Sequence, residues 1–172
     1  MLNKHFLTLG AVFLSYTLGY SYQPLESTKF YSKKPQKVTT SPRYILGDLV
    51  MRDKIIITGE MIEAHKDQSF PLGTFCAYMQ NIKNTKQRFP LRVSSNQGKF
   101  KARGINNQGD LAYRIYVNKQ PISYGKVNYI RVNNRASDSC HVFENITITF
   151  SGNTIRNAKA GNYALTLNFF SQ

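Results

Sequence analysis

The sequence predicts an all-β sandwich, and three observations carry that prediction. The first is strict alternation. In "LAYRIYV", Leu111, Tyr113, Ile115 and Val117 face one way and Ala112, Arg114 and Tyr116 the other; in "ITITF", Ile146, Ile148 and Phe150 share a face. A period of two is that of a strand with one face buried. The second is punctuation: "SSNQGK", "GINNQGD", "NKQPISYGK", "NNRASDS", "SGN" and "NAKAG" place turn residues at short intervals between β-rich stretches. The third is the last stretch, "AGNYALTLNFFSQ". Read as one strand, it sets Tyr163, Leu165, Leu167 and Phe169 on one side and Ala164, Thr166, Asn168 and Phe170 on the other. Short strands with frequent turns suit a sandwich, and no repeat of solenoid length is visible.

The elements follow in chain order. Residues 1–21 have a basic start (Lys4), an apolar run from Phe6 to Leu18, and small residues at Gly19 and Ser21. This is the layout of a secretory signal cleaved after Ser21. An uncleaved anchor is the rival reading, against which the run is short of the about 20 apolar residues a membrane span needs. Removal of 21 residues from 172 leaves 151, enough for one domain with its own core.

Residues 22–53 form a basic amino-terminal extension. Its first part, residues 22–43, carries three prolines and four lysines without a sustained period, a composition expected to be extended on its own. It ends in "YILGDLVMRD", where Ile45, Gly47, Leu49 and Met51 alternate, and the next stretch alternates Ile55, Ile57, Gly59 and Met61. Both read as strands with a glycine at the same step, where a close approach is expected. The domain proper is read as residues 54–172. Its further strands are "RFPLRV", "KFKAR", "LAYRIYV", "VNYIRV", "ENITITF" and the terminal stretch, while "TFCAYMQNIKNTK" is open between strand and short helix.

Chemistry is sparse. Two histidines, His65 and His141, remain after the signal, and the acids are scattered among turns. No nucleophile, base and orienting group stand together, no glycine-rich loop opens a helix, and no spacing matches a zinc site. The chain is therefore read as no enzyme, with no cofactor and no metal. Asn145-Ile146-Thr147 matches a glycosylation sequon and is read as ordinary strand. In an exported chain the two cysteines, Cys76 and Cys140, are expected to pair.

The formal charge is +14, and between Lys83 and Arg135 twelve Lys/Arg face a single acid, Asp110. Such a surface attracts anionic polymers or serves solubility alone. Lys99, Lys101 and Arg103 are the candidate anion-binding residues, alternating with Phe100 and Ala102. No nucleic-acid motif accompanies them, so no specific nucleic acid is expected.

Three stretches together resemble one family. "KIIITGEMIEA" is similar to the first strand of bacterial fimbrial subunits, "GDLAYRIYV" to the middle strand of their spore-coat-protein-U-like branch, and "AGNYALTLNFFSQ" to their terminal strand. The cysteine often found shortly after the first strand is absent, His65 and Lys66 standing near that place. The resemblance implies an immunoglobulin-like β-sandwich of the chaperone–usher pathway that lacks its last strand. Tyr163, Leu165, Leu167 and Phe169 would then edge an open groove, and Ile45, Gly47, Leu49 and Met51 would be the plugs of a donor strand. The implied partners are a periplasmic chaperone, an outer-membrane usher and other pilus subunits in a head-to-tail polymer, with a role in adhesion at the cell surface. Two rivals stand beside it: an ordinary edge strand in a complete domain, and a secreted basic sandwich that binds a glycan, lipopolysaccharide or nucleic acid.

Overall fold

Alternating burial runs through nearly every extended segment of the chain. The computed structural model describes residues 7–9, 41–82, 87–105, 108–133 and 139–171. The strands in order are β1 (Leu7–Leu9), β2 (Arg43–Met51), β3 (Ile55–Ile57), β4 (Gln68–Gln80), β5 (Phe89–Ser94), β6 (Lys101–Gly104), β7 (Asp110–Ala112), β8 (Arg114–Val117), β9 (Gln120–Ile122), β10 (Val127–Ile130), β11 (Glu144–Phe150), β12 (Tyr163–Ala164) and β13 (Asn168–Ser171); α1 spans Gly59–Glu63 and α2 Gly152–Arg156.

Every ladder is antiparallel. One layer is a five-stranded sheet in the order β2-β4-β11-β8-β9. Facing it are two three-stranded sheets, β10-β5-β13 and β12-β6-β7, and a short pair β1-β3 lies beside them. The protein is an all-β, sandwich-like fold. Its core comes from the inward positions of both layers: Phe75, Phe89, Leu91, Ile115, Ile146, Ile148 and Phe150 are all essentially inaccessible. Ring contacts join the layers. Phe75 on β4 meets Phe169 on β13 at 5.9 Å between centroids, and Tyr44 on β2 meets Phe89 on β5 at 5.9 Å, edge to face.

Three local features differ from the sequence reading. The stretch from Ile55 is a strand only as far as Ile57. Thr58 then caps α1, its side chain accepting from the Met61 N–H, with Glu60 in the first turn. A capping threonine and an acid at the positive end of a helix outweigh the alternation of Gly59 and Met61. "LAYRIYV" is split: β7 joins β6 and β8 joins β11, with Tyr113 between them, yet Leu111, Tyr113, Ile115 and Val117 all remain buried. The terminal stretch is likewise two strands, β12 on β6 and β13 on β5. The ambiguous "TFCAYMQ" belongs to strand β4.

Turns follow their residue chemistry. Asn118 and Lys119 both have positive φ (47° and 67°) and join β8 to β9 as a two-residue hairpin, the mirror-image turn that matches strand twist. Asn118 also bonds the Asn145 N–H through Oδ1 at 2.9 Å and donates from Nδ2 to the buried Glu144 carboxylate. Asn133 completes that carboxylate's shell, its backbone N–H at 2.6 Å and Nδ2 at 2.9 Å. A buried carboxylate is tolerable when donors surround it in this way.

The close approach expected at Gly47 is absent: a Cβ there would meet open space. It occurs across the ladder at Gly73, where a Cβ would come 2.3 Å from the Val50 carbonyl oxygen. The β2–β4 register shifts between Gly47 and Val50, with Asp48 at φ 39°, so the bulged β2 backbone bears down on β4. Gly73→Ala should therefore cost about 1–3 kcal/mol by pushing β2 off β4, while Gly47→Ala should be nearly neutral. Urea unfolding of the two variants measures the difference; equal effects would contradict this reading of the bulge.

Candidate functional site at the terminal strand

The terminal segment is a wall of the core. Tyr163, Leu165 and Leu167 are 1–2% exposed, and Phe169 is half-buried against Phe75. The Tyr163 hydroxyl donates to the Lys159 carbonyl at 2.9 Å, and burial raises its pKa, partly offset by that bond. Between Leu165 and Leu167 the backbone belongs to neither sheet as the chain passes from β6 to β5.

The strand partners around this wall define a seam. Among the described strands, β12 pairs only with β6, β13 only with β5, and β2 only with β4. β13 also runs close to β2, with no ladder between them. Farther along, among the described residues, β3 has β1 as its one ladder partner, with Leu7 opposite Ile57, Thr8 opposite Ile56 and Leu9 opposite Ile55. β1 also runs close to β12. The backbone of residues 7–9 thus lies between β3 and the terminal segment. Apart from those three residues, the segment 1–40, which holds the expected signal and most of the basic extension, lies outside the described residues.

The residues read as donor plugs are placed otherwise than in a partner's groove. Ile45 stands opposite Tyr78, Gly47 opposite Cys76 and Met51 opposite Gly73 on β4 of the same chain; Leu49 lies in the bulge and packs on the core. The segment is the edge strand of its own five-stranded sheet, although it precedes the boundary drawn at residue 54.

Cys76 and Cys140 form a disulfide, with Cα atoms 5.9 Å apart and a sequence separation of 64. It fastens the stretch before β11 to the middle of β4. Cys140 is thereby unavailable as a nucleophile, and its neighbour His141 makes a 3.1 Å contact through Nε2 with the Ser139 hydroxyl.

Lys99 and Arg103 are exposed, Ala102 is fully buried, and Lys101 pairs with Asp110 at 3.3 Å. The three cations share a side of the β6 region, with one of them partly neutralised. In the core beneath, Phe100 stacks on Tyr113 at 5.7 Å and meets Tyr124 edge-on at 5.2 Å. The Tyr113 hydroxyl is buried without a hydrogen-bond partner among the described residues. Desolvation pushes its pKa upward against a weaker pull from Ser95, whose hydroxyl is engaged with Gln97 and the Lys99 carbonyl.

Sequence reasoning did not single out β3 as the facing wall of the seam. No sequence signal marked it: Ile56 is 48% exposed between two buried isoleucines, the one-face alternation that any half-buried strand shows. Taken together, fold and site define a disulfide-bonded all-β sandwich with a seam along its terminal segment. No protein-family model, curated protein or solved structure matches this chain.

Proposed function

We propose that the chain is a structural subunit of a bacterial surface fibre, an immunoglobulin-like sandwich completed by a strand from another copy, and that the fibre contributes to adhesion. The observation that carries this reading is the ladder partner of β3. That partner, Leu7–Leu9, lies inside the segment read as a cleaved signal. Cleavage after Ser21 takes β1 away and leaves unpaired N–H and C=O groups on β3, on the side where β1 runs close to β12. An open apolar edge invites aggregation, so export calls for a periplasmic chaperone to cover it and an outer-membrane usher to exchange the chaperone for the next subunit. Strand insertion of this kind gains affinity from backbone bonds and specificity from alternate side chains. It is a heterologous contact and propagates as a fibre.

Because β2 is paired with β4 of its own chain, the donor in this scheme is the stretch ahead of it, residues 22–42. A photo-crosslinking residue at position 56, in the exposed middle of β3, tests the scheme in cells that export the protein. The expected products join position 56 to residues 22–42 of another copy, or to a chaperone. Exported protein that retains residues 1–21 and gives only products within one chain would overturn it.

A further inference from the structure

The outer face of the β10-β5-β13 sheet carries a strip that the seam does not use. Register places Val127, Arg92 and Phe170 in one row across the three strands, with Arg92 in the middle. The adjacent row sets Tyr129 against Pro90. Directly opposed residues share a face, and Arg131 follows Tyr129 on that face by the two-residue period. Arg88, just before β5, donates from Nη1 to the Tyr129 carbonyl at 3.4 Å. Tyr129 is 62% exposed and Phe170 40%, and all three arginines are exposed. None of the three strands contains a carboxylate.

The backbone positions of the arginines lie at two ends: Arg88 and Arg131 at one and Arg92 at the other, four residues along a strand and hence about 13 Å away; the Arg88 guanidinium itself reaches in to the Tyr129 carbonyl. The exposed ring of Tyr129 lies between, opposite the buried Pro90. We infer that this face binds an acidic polysaccharide. Carboxylates or sulfates carried on alternate sugars reach the two arginine positions, and a sugar ring lies on Tyr129. Guanidinium forks match carboxylate and sulfate oxygens in a bidentate way that lysine does not. An exposed aromatic among them supplies the apolar platform that a sugar's C–H face needs. A nucleic-acid strand, charged at every nucleotide, matches two separated arginine positions less well than a chain charged on alternate sugars.

The face is separate from the seam, so the inference stands or falls independently of strand donation. The test is calorimetric titration of the full chain with hyaluronan oligosaccharides, which carry one carboxylate per two sugars, at low and high salt, with oligo-dT in parallel. Arg92→Gln and Arg131→Gln should each weaken binding about tenfold, as loss of a charged hydrogen bond does, and should flatten the salt dependence. Tyr129→Ala should weaken binding and leave the salt dependence as it was. The triple change Lys99→Gln, Lys101→Gln and Arg103→Gln should leave hyaluronan binding intact. All these side chains are exposed or half-buried, so unchanged thermal melts confirm that folding is not the cause. No hyaluronan binding by the parent chain, binding indifferent to Arg92→Gln and Arg131→Gln, or tighter binding of oligo-dT would each overturn the inference.

Discussion

Replacing Cys76 and Cys140 together by alanine is expected to lower stability by about 4 kcal/mol. The bridge closes a loop of 64 residues. In the unfolded chain that closure removes much of the freedom the segment would otherwise have, and the entropy regained on cutting it favours unfolding. The native state loses as well. Cys76 is 2% exposed on β4, directly opposite Gly47 of β2, so the bridge anchors the Cys140 stretch where β2 and β4 meet. A domain of this size has only about 5–15 kcal/mol in all, so the loss is a large fraction of it. Urea unfolding of the oxidised parent and the double variant measures the change through the shift in midpoint. A difference below about 1 kcal/mol would contradict the loop-closure account.

Leu167→Lys is expected to be at least as damaging. Leu167 is 1% exposed and stands where the terminal segment passes from β6 to β5. An ammonium placed there either stays buried without a partner, at a cost of several kcal/mol, or drags the backbone outward and opens the wall that Tyr163 and Leu165 complete. Loss of more than about 3 kcal/mol places the change among the severe class of core substitutions. Phe170→Lys, three residues on at a position 40% exposed, is the internal control and should shift the melt little. Thermal melting of both variants decides the matter. A tolerated Leu167→Lys would mean that the terminal segment does not wall the core, and the seam would have to be sought elsewhere.

The two changes also mark how far the site was legible. Leu167 could be named as an inward residue because alternation reports burial directly: a strand with one wet face and one dry face must place every second side chain in the core. The same rule identified Leu111, Tyr113, Ile115 and Val117, and Ile146, Ile148 and Phe150, all of them buried. It was silent on where a strand ends. Side-chain period is unchanged when a chain leaves one sheet and joins another, so the breaks at Tyr113 and at residues 165–167 left no trace in the pattern. Helix α1 was hidden for a related reason. Five residues are too few for a helical period to show against the two-residue one, and the Thr58 cap was the local cue that outweighed it.

What the sequence by itself determined is the composition of the two faces: which side chains are dry, where turns must fall, and that two cysteines in a chain with an export-like start would pair. Those follow from short-range facts, the two-residue period and the conformational limits of turn residues. Only the tertiary structure decided who stands beside whom. Pairing is a matter of register between segments far apart in the chain, and a one-residue slip would reverse every face. Thus "YILGDLVM", expected as a donor strand, is held by β4 of its own chain through a bulge at Asp48. Arg92, Tyr129 and Phe170, unremarkable in three separate stretches, become neighbours because β10, β5 and β13 align. The seam, likewise, is a relation between β3 and the terminal segment, more than one hundred residues apart, and no local pattern encodes it.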